Sequence, residues 1–70
     1  MTTTTPGHVL GRNLRAAREA RGWSRQTLKE LSHTSTRAIA DAELKGKEPR
    51  LSTLYAWAKA LGIEACDLLP

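Results

Sequence analysis

The sequence predicts an all-α fold, a compact bundle of about five short helices. Three observations carry that expectation. Apolar residues recur at helical spacing in separate stretches of the chain, and no stretch alternates apolar and polar residues as a half-buried strand does. Cap and stop residues bracket these stretches, with Ser24 before one and Gly22 and Gly62 behind two others. The 70 residues, 40% of them apolar, suffice for one small core and no more.

The first helix is expected over Val9 to Arg21, with Leu10, Leu14 and Ala17 on one face. Gly22 follows as a stop, after a cation in the last turn. Arg12 and Arg15 point away from the apolar face, and Arg18 lies on its flank. Residues 1–8 carry neither an apolar face nor a basic cluster and are expected to form a disordered tail, which leaves 9–70 as the folded unit. Ser24 is a good N-cap for a second helix over about Arg25 to Ser32. The run Ser32-His33-Thr34-Ser35 then makes a tight corner, and a third helix follows to about Leu44 or Lys45. Leu28, Leu31, Ile39 and Ala42 are expected to share one buried side across that corner, while Arg37, Ala40, Asp41 and Leu44 point outward. After a loop at Gly46 to Pro49, Leu51, Leu54, Trp57, Ala58 and Leu61 trace an amphipathic fourth helix. Residues 63–69 are expected to add a short fifth.

Composition excludes several classes of function. A single cysteine, Cys66, forbids an intrachain disulfide and suits a reducing compartment. His8, His33 and Cys66 lack metal-ligand spacing, so no metal or other cofactor is expected. No nucleophile, base and orienting group occur in a recognisable set, and no glycine-rich phosphate loop is present, which argues against an enzyme. No apolar run approaches the roughly 20 residues a membrane span requires, and the N-terminus has no signal-peptide pattern. A cytoplasmic location is expected. The net charge of +4, with a pI near 9.9, favours a polyanionic partner. The excess lies toward the N-terminal half: residues 1–22 hold four Arg against one Glu, residues 23–46 net +1, and the remainder nets zero.

Two short helices joined by a tight turn, inside a small basic all-α domain, match the helix-turn-helix pattern of DNA-binding proteins. Any compact helical domain contains such corners, so the pattern alone leaves a purely architectural corner open. The residues say more. From Leu10 to Leu69 the chain resembles the phage-repressor and Cro-like helix-turn-helix family, also called Xre, whose fold is lambda-repressor-like. "LGRNLRAAREARGWS" is similar to the family's opening helix, with Arg18 and Gly22 at characteristic positions. Leu28, Ile39 and Glu43 match the motif's apolar and acidic marks, and Pro49 with "LSTLYAWAKALGI" and Asp67-Leu68-Leu69 resemble the closing segment.

The resemblance implies that the third helix enters the major groove of double-stranded DNA. Thr36, Arg37, Ala40 and Asp41 then fall at base-reading positions. Arg37 has the reach to bond guanine O6 and N7 in a bidentate pair; its alternative is a surface ion pair with Asp41. Phosphate contacts are expected from Arg25, Gln26, Ser35, Lys45, Lys47 and Arg50. In the family Arg18 and Glu43 form a structural ion pair, and their flank positions here suit partial burial. Trp23 and Trp57 are read as core, with single-strand stacking as the alternative. Ile63, Cys66, Leu68 and Leu69 are the expected homodimer contact, since so short a terminal helix carries more apolar surface than it can bury.

The chain departs from the family pattern at the corner. Where an apolar residue, Gly and an apolar residue are usual, it has Ser32, His33 and Thr34, so His33 must take a left-handed conformation. Lys29 replaces the usual Ala, Arg25 the usual Gln, and Gly46 comes one place late, after Lys45. The function expected is that of a DNA-binding transcriptional regulator of repressor type, a homodimer on a palindromic operator. The rival is a protein-interaction module, or an antitoxin, that keeps the fold while its DNA reading is altered, motivated by the unusual turn and by Asp41 on the reading face.

Overall fold

A computed structural model describes residues 6–70. Four α-helices, α1 (Pro6–Ala20), α2 (Arg25–Ser32), α3 (Thr36–Lys45) and α4 (Leu51–Leu61), precede a single 3-10 turn at Ala65–Asp67. The expected fifth helix is therefore only that turn. The reason is local: Glu64 and Asp67 cap one another's backbone reciprocally, with Glu64 N–H donating to Asp67 Oδ2 at 3.1 Å, which closes the segment after one turn. Helix α1 begins three residues before Val9, so residues 6–8 belong to it; the rest of the expected tail, residues 1–5, lies outside the described residues. Proline at the first helical position supplies the required φ and lacks only an N–H that would have no partner there.

The other boundaries follow from cap chemistry. Ser24 Oγ accepts from Thr27 N–H at 3.1 Å and starts α2; Ser35 Oγ accepts from Ala38 N–H at 2.9 Å and starts α3. Gly46 (φ 68°) ends α3 in the left-handed region, one residue later than the family pattern, so Lys45 is the last helical residue.

Leu14, Leu28, Ile39, Trp57 and Leu68 are fully buried and join Leu10, Ala42, Leu54, Ala58 and Leu61 in one core. Helix α1 packs across α3, and α2 packs on α3 and α4. The α1–α3 crossing is close because two glycines make room for it. A Cβ on Gly11 would fall on the Ala42 carbonyl oxygen, and one on Gly7 on the Gly46 carbonyl oxygen. Arg21 ties the far ends of α1 and α4 together by donating to the Leu61 carbonyl at 2.6 Å, where a cation also suits the C-terminal end of α4.

Two expectations about the core fail for identifiable reasons. Leu31 is 52% exposed, because its place on the buried side of α2 is taken by Ser32, one turn after Leu28. Leu68 is fully buried in its own chain and so cannot form part of a dimer contact. The terminal turn folds back onto α1, where Asn13 Nδ2 donates to the Leu68 carbonyl at 3.1 Å.

Candidate nucleic-acid interface

Helix α3 presents a charged outer face. Arg37 is almost fully exposed, with 89% of its side chain in solvent, and Lys45 is exposed one turn beyond Asp41. The Asp41 carboxylate sits between them, 4.0 Å from Arg37 Nε and 3.7 Å from Lys45 Nζ. It is thereby flanked by two cations and mostly covered. The feature that speaks against a phosphate-facing surface is locally neutralised, and the face keeps one net positive charge. Thr36 and Ala40 lie half-buried along the same helix, and Leu44 is exposed at its end.

An open cleft of about 400 Å³ lies where the start of α3 faces the α3–α4 loop and the first turn of α4. It brings together Ser35, Arg37, Asp41, Lys47 and Arg50, which are far apart in sequence, and adds Glu48 and Thr53. Ser35 Oγ already accepts the capping bond, so its hydroxyl proton remains free to donate. The cleft therefore sets three cations, Arg37, Lys47 and Arg50, against two carboxylates, Asp41 and Glu48, for a net charge of +1, and adds the Ser35 and Thr53 hydroxyls. Gln26 and Lys45 are exposed but do not line it. Thr53 and Glu48 lacked a sequence signal, since only the turn of the chain at Pro49 brings them to the edge of α3.

Behind this surface a buried ion cluster joins the first three helices. Arg18 donates from Nε to Glu43 Oε2 and from Nη2 to Glu43 Oε1, both at 2.9 Å, and from Nη1 to the Trp23 carbonyl at 2.7 Å. Arg25 adds a bond from Nε to Glu43 Oε1 at 3.1 Å. The Glu43 side chain is wholly buried and that of Arg18 is 8% exposed. Hydrogen bonding to Glu43 raises the Arg18 pKa above its ordinary value, against the opposing effect of burial, so the charge is permanent. Arg25 thus has a structural role that its sequence position did not reveal. Its Nε is committed to Glu43, while the side chain stays about one-third exposed. Arg15 pairs with Glu19 at 3.3 Å in an exposed i,i+4 bridge.

In the C-terminal segment Ile63 and Ala65 pack partly against the core, whereas Cys66 and Leu69 are exposed, Leu69 in a groove with Glu48 and Pro49. Among the described residues no three His, Cys, Asp or Glu side chains cluster as a metal site would need, and no helix is long and apolar enough to cross a membrane.

A helix-turn-helix family model matches residues 14–68. No curated protein sequence matches the chain. Among solved structures, the restriction-modification controller protein C.AhdI from Aeromonas hydrophila is similar, with 31% identity over 89% of this chain and 94% of that one, at a TM-score of 0.83. The clp gene regulator ClgR from C. glutamicum is similar at 27% identity over 94% of this chain and 86% of that one, with a TM-score of 0.83. A hypothetical transcription factor, NHTF, from Neisseria matches all of this chain and 87% of its own, at 26% identity and a TM-score of 0.83.

Proposed function

The chain belongs to the helix-turn-helix family of phage-repressor and Cro-like type, and from that premise we propose that it is a repressor that binds a palindromic operator as a homodimer in the cytoplasm. The observation that carries the proposal is the cleft at the start of α3. There Arg37, 89% exposed and only loosely paired with Asp41 at 4.0 Å, stands beside Ser35, Lys47 and Arg50. Arg37, Thr36, Ala40 and Asp41 read base edges, and the cleft with Arg25, Gln26 and Lys45 grips the backbone.

Dimerisation has a physical motive. One recognition helix covers only a few base pairs, and two-fold pairing doubles the site, with half-sites about 34–36 Å apart. The exposed Cys66 and Leu69, with Ile63 at their edge, supply the contact.

A gel shift against the DNA upstream of the protein's own reading frame tests this. A retarded band is expected whose affinity falls steeply with added salt, because each neutralised phosphate releases counterions. A protein that retards no DNA at low salt, but co-purifies with one specific protein, would replace the regulator with the interaction module.

A further inference from the structure

The corner between α2 and α3 is the least family-like part of the sequence, and it holds a continuous line of hydrogen bonds. Trp57 Nε1 donates to Thr34 Oγ1 at 3.0 Å, Thr34 and Ser32 share a bond between their hydroxyls at 2.7 Å, and Ser32 Oγ donates to the Leu28 carbonyl at 2.6 Å. Each hydroxyl has one proton. Ser32 spends its proton on Leu28, so Thr34 must be the donor to Ser32, and Thr34 then accepts from the indole. The line has a single direction, from α4 through the turn into the last turn of α2. Trp57 is fully buried and Ser32 nearly so, and no buried side-chain polar atom among the described residues lacks a partner.

The backbone at the corner is fixed by the same residues. His33 takes φ 56° and ψ 38°, and Thr34 N–H returns to the Lys29 carbonyl at 3.3 Å, closing α2 with the bond pattern that a glycine usually permits. Thr34 stands two residues before Thr36, where α3 begins. A turn packed only by apolar side chains would be held by non-directional contacts, which tolerate small rotations. Three directional bonds anchored on the rigid indole of α4 do not.

We propose that the Trp57–Thr34–Ser32 hydroxyl line is a positioning device for base reading: it sets the angle at which α3 leaves the turn, and thereby where Arg37 meets the base edges. The proposal rests on α3 being the reading helix. Base readout needs side chains held within about 0.5 Å and 10–20° of the productive geometry, so the line should act on discrimination between sequences more than on affinity for DNA in general.

Thr34→Val keeps the shape of the side chain, leaves the indole N–H without its acceptor and deprives Ser32 of its donor. Thr34→Ser keeps the hydroxyl. The measurement is the ratio of affinities for a duplex enriched from a randomised pool by the parent protein and for a scrambled duplex, taken well below each variant's Tm. Thr34→Val should lower that ratio by about tenfold, the scale of one misread base pair, while affinity for the scrambled duplex stays within about twofold of the parent's. Thr34→Ser should restore the ratio. If Thr34→Val does not fold, Ser32→Ala carries the test: it removes the hydroxyl that joins Thr34 to the Leu28 carbonyl, cutting the line between the turn and α2 at a helical position that alanine suits, and a fall in the same direction is expected. An unchanged ratio in the folded variant, with only a lower Tm, would make the line structural and overturn the proposal. A parent protein that enriches no duplex at all would instead overturn the regulator function itself, and this proposal with it.

Discussion

Replacing Glu43 by alanine should remove much of the stability of this domain. Glu43 accepts two bonds from Arg18 and one from Arg25, and its carboxylate is fully buried. In Glu43→Ala, Arg25 swings into water at little cost, because it is already about one-third exposed. Arg18 cannot do the same. It stays buried with a permanent charge and only the Trp23 carbonyl as partner. Breaking a buried pair from one side costs about 3–5 kcal/mol, and the release of Arg25 places this case near 3. A 70-residue domain holds only about 3.5–10 kcal/mol in total, at 0.05–0.15 per residue. At about 4–8 °C per kcal/mol for a domain of this size, Tm should fall by at least about 12 °C. Thermal denaturation followed by circular dichroism reads this directly. The control is Arg15→Ala, which breaks the exposed Arg15–Glu19 bridge and should cost no more than about 1 kcal/mol. If Glu43→Ala melts within about 4 °C of the parent, Arg18 has found water or another acceptor, and the cluster does not hold the helices together.

Arg37→Ala should cost about 1–3 kcal/mol on the selected duplex and relax preference at one base position; an equal loss on scrambled DNA would make Arg37 a phosphate contact only. Arg25→Ala should weaken all duplexes alike and also lower Tm, because Arg25 both faces solvent and bonds Glu43. Gly11→Ala should destabilise by about 1–3 kcal/mol through overpacking, although alanine is the better helix former by about 1 kcal/mol; a rise in Tm would mean that α1 can back away from the Ala42 carbonyl. Leu69→Glu should leave the fold intact and reduce two-site occupancy in footprinting, whereas Leu68→Glu should unfold the chain, since only Leu69 is exposed; two intact half-site footprints with Leu69→Glu would remove this segment from the dimer contact.

Helices α2, α3 and α4 could be read from the sequence because their ends are decided by neighbours within four residues. Ser24 and Ser35 bond amides three places on, and glycines follow α3 and α4. The start of α1 lies ahead of its apolar spacing, which begins at Leu10; its signs in the sequence are Pro6 and the four-residue spacing of Gly7 and Gly11. That spacing was the available sign of a close helix crossing. The buried face of α2 departs from the apolar pattern for a subtler reason. Apolarity favoured Leu31 over Ser32, but Ser32 lies nearer in angle to Leu28, and its hydroxyl meets the Leu28 carbonyl, so burying it leaves nothing unpaired. What holds the polar turn was not legible either, because a sequence does not reveal that an indole from α4 ends beside Thr34. On α3, helical geometry gives only which residues point outward, such as Arg37 and Leu44; their reading positions come from the family resemblance. The union of Ser35 and Arg37 with Lys47 and Arg50 in one cleft depended on the path of the loop.

Selection from a pool of randomised duplexes, with the binding sites of the parent protein sequenced after several rounds, tests most directly whether this chain reads DNA. The expected result is an enriched motif with two-fold symmetry, its two halves about one helical turn apart and in all about 34–36 Å between centres, bound about 10³-fold or more tighter than scrambled DNA. A pool that stays random, or one retained equally at every sequence, would contradict sequence-specific reading by α3.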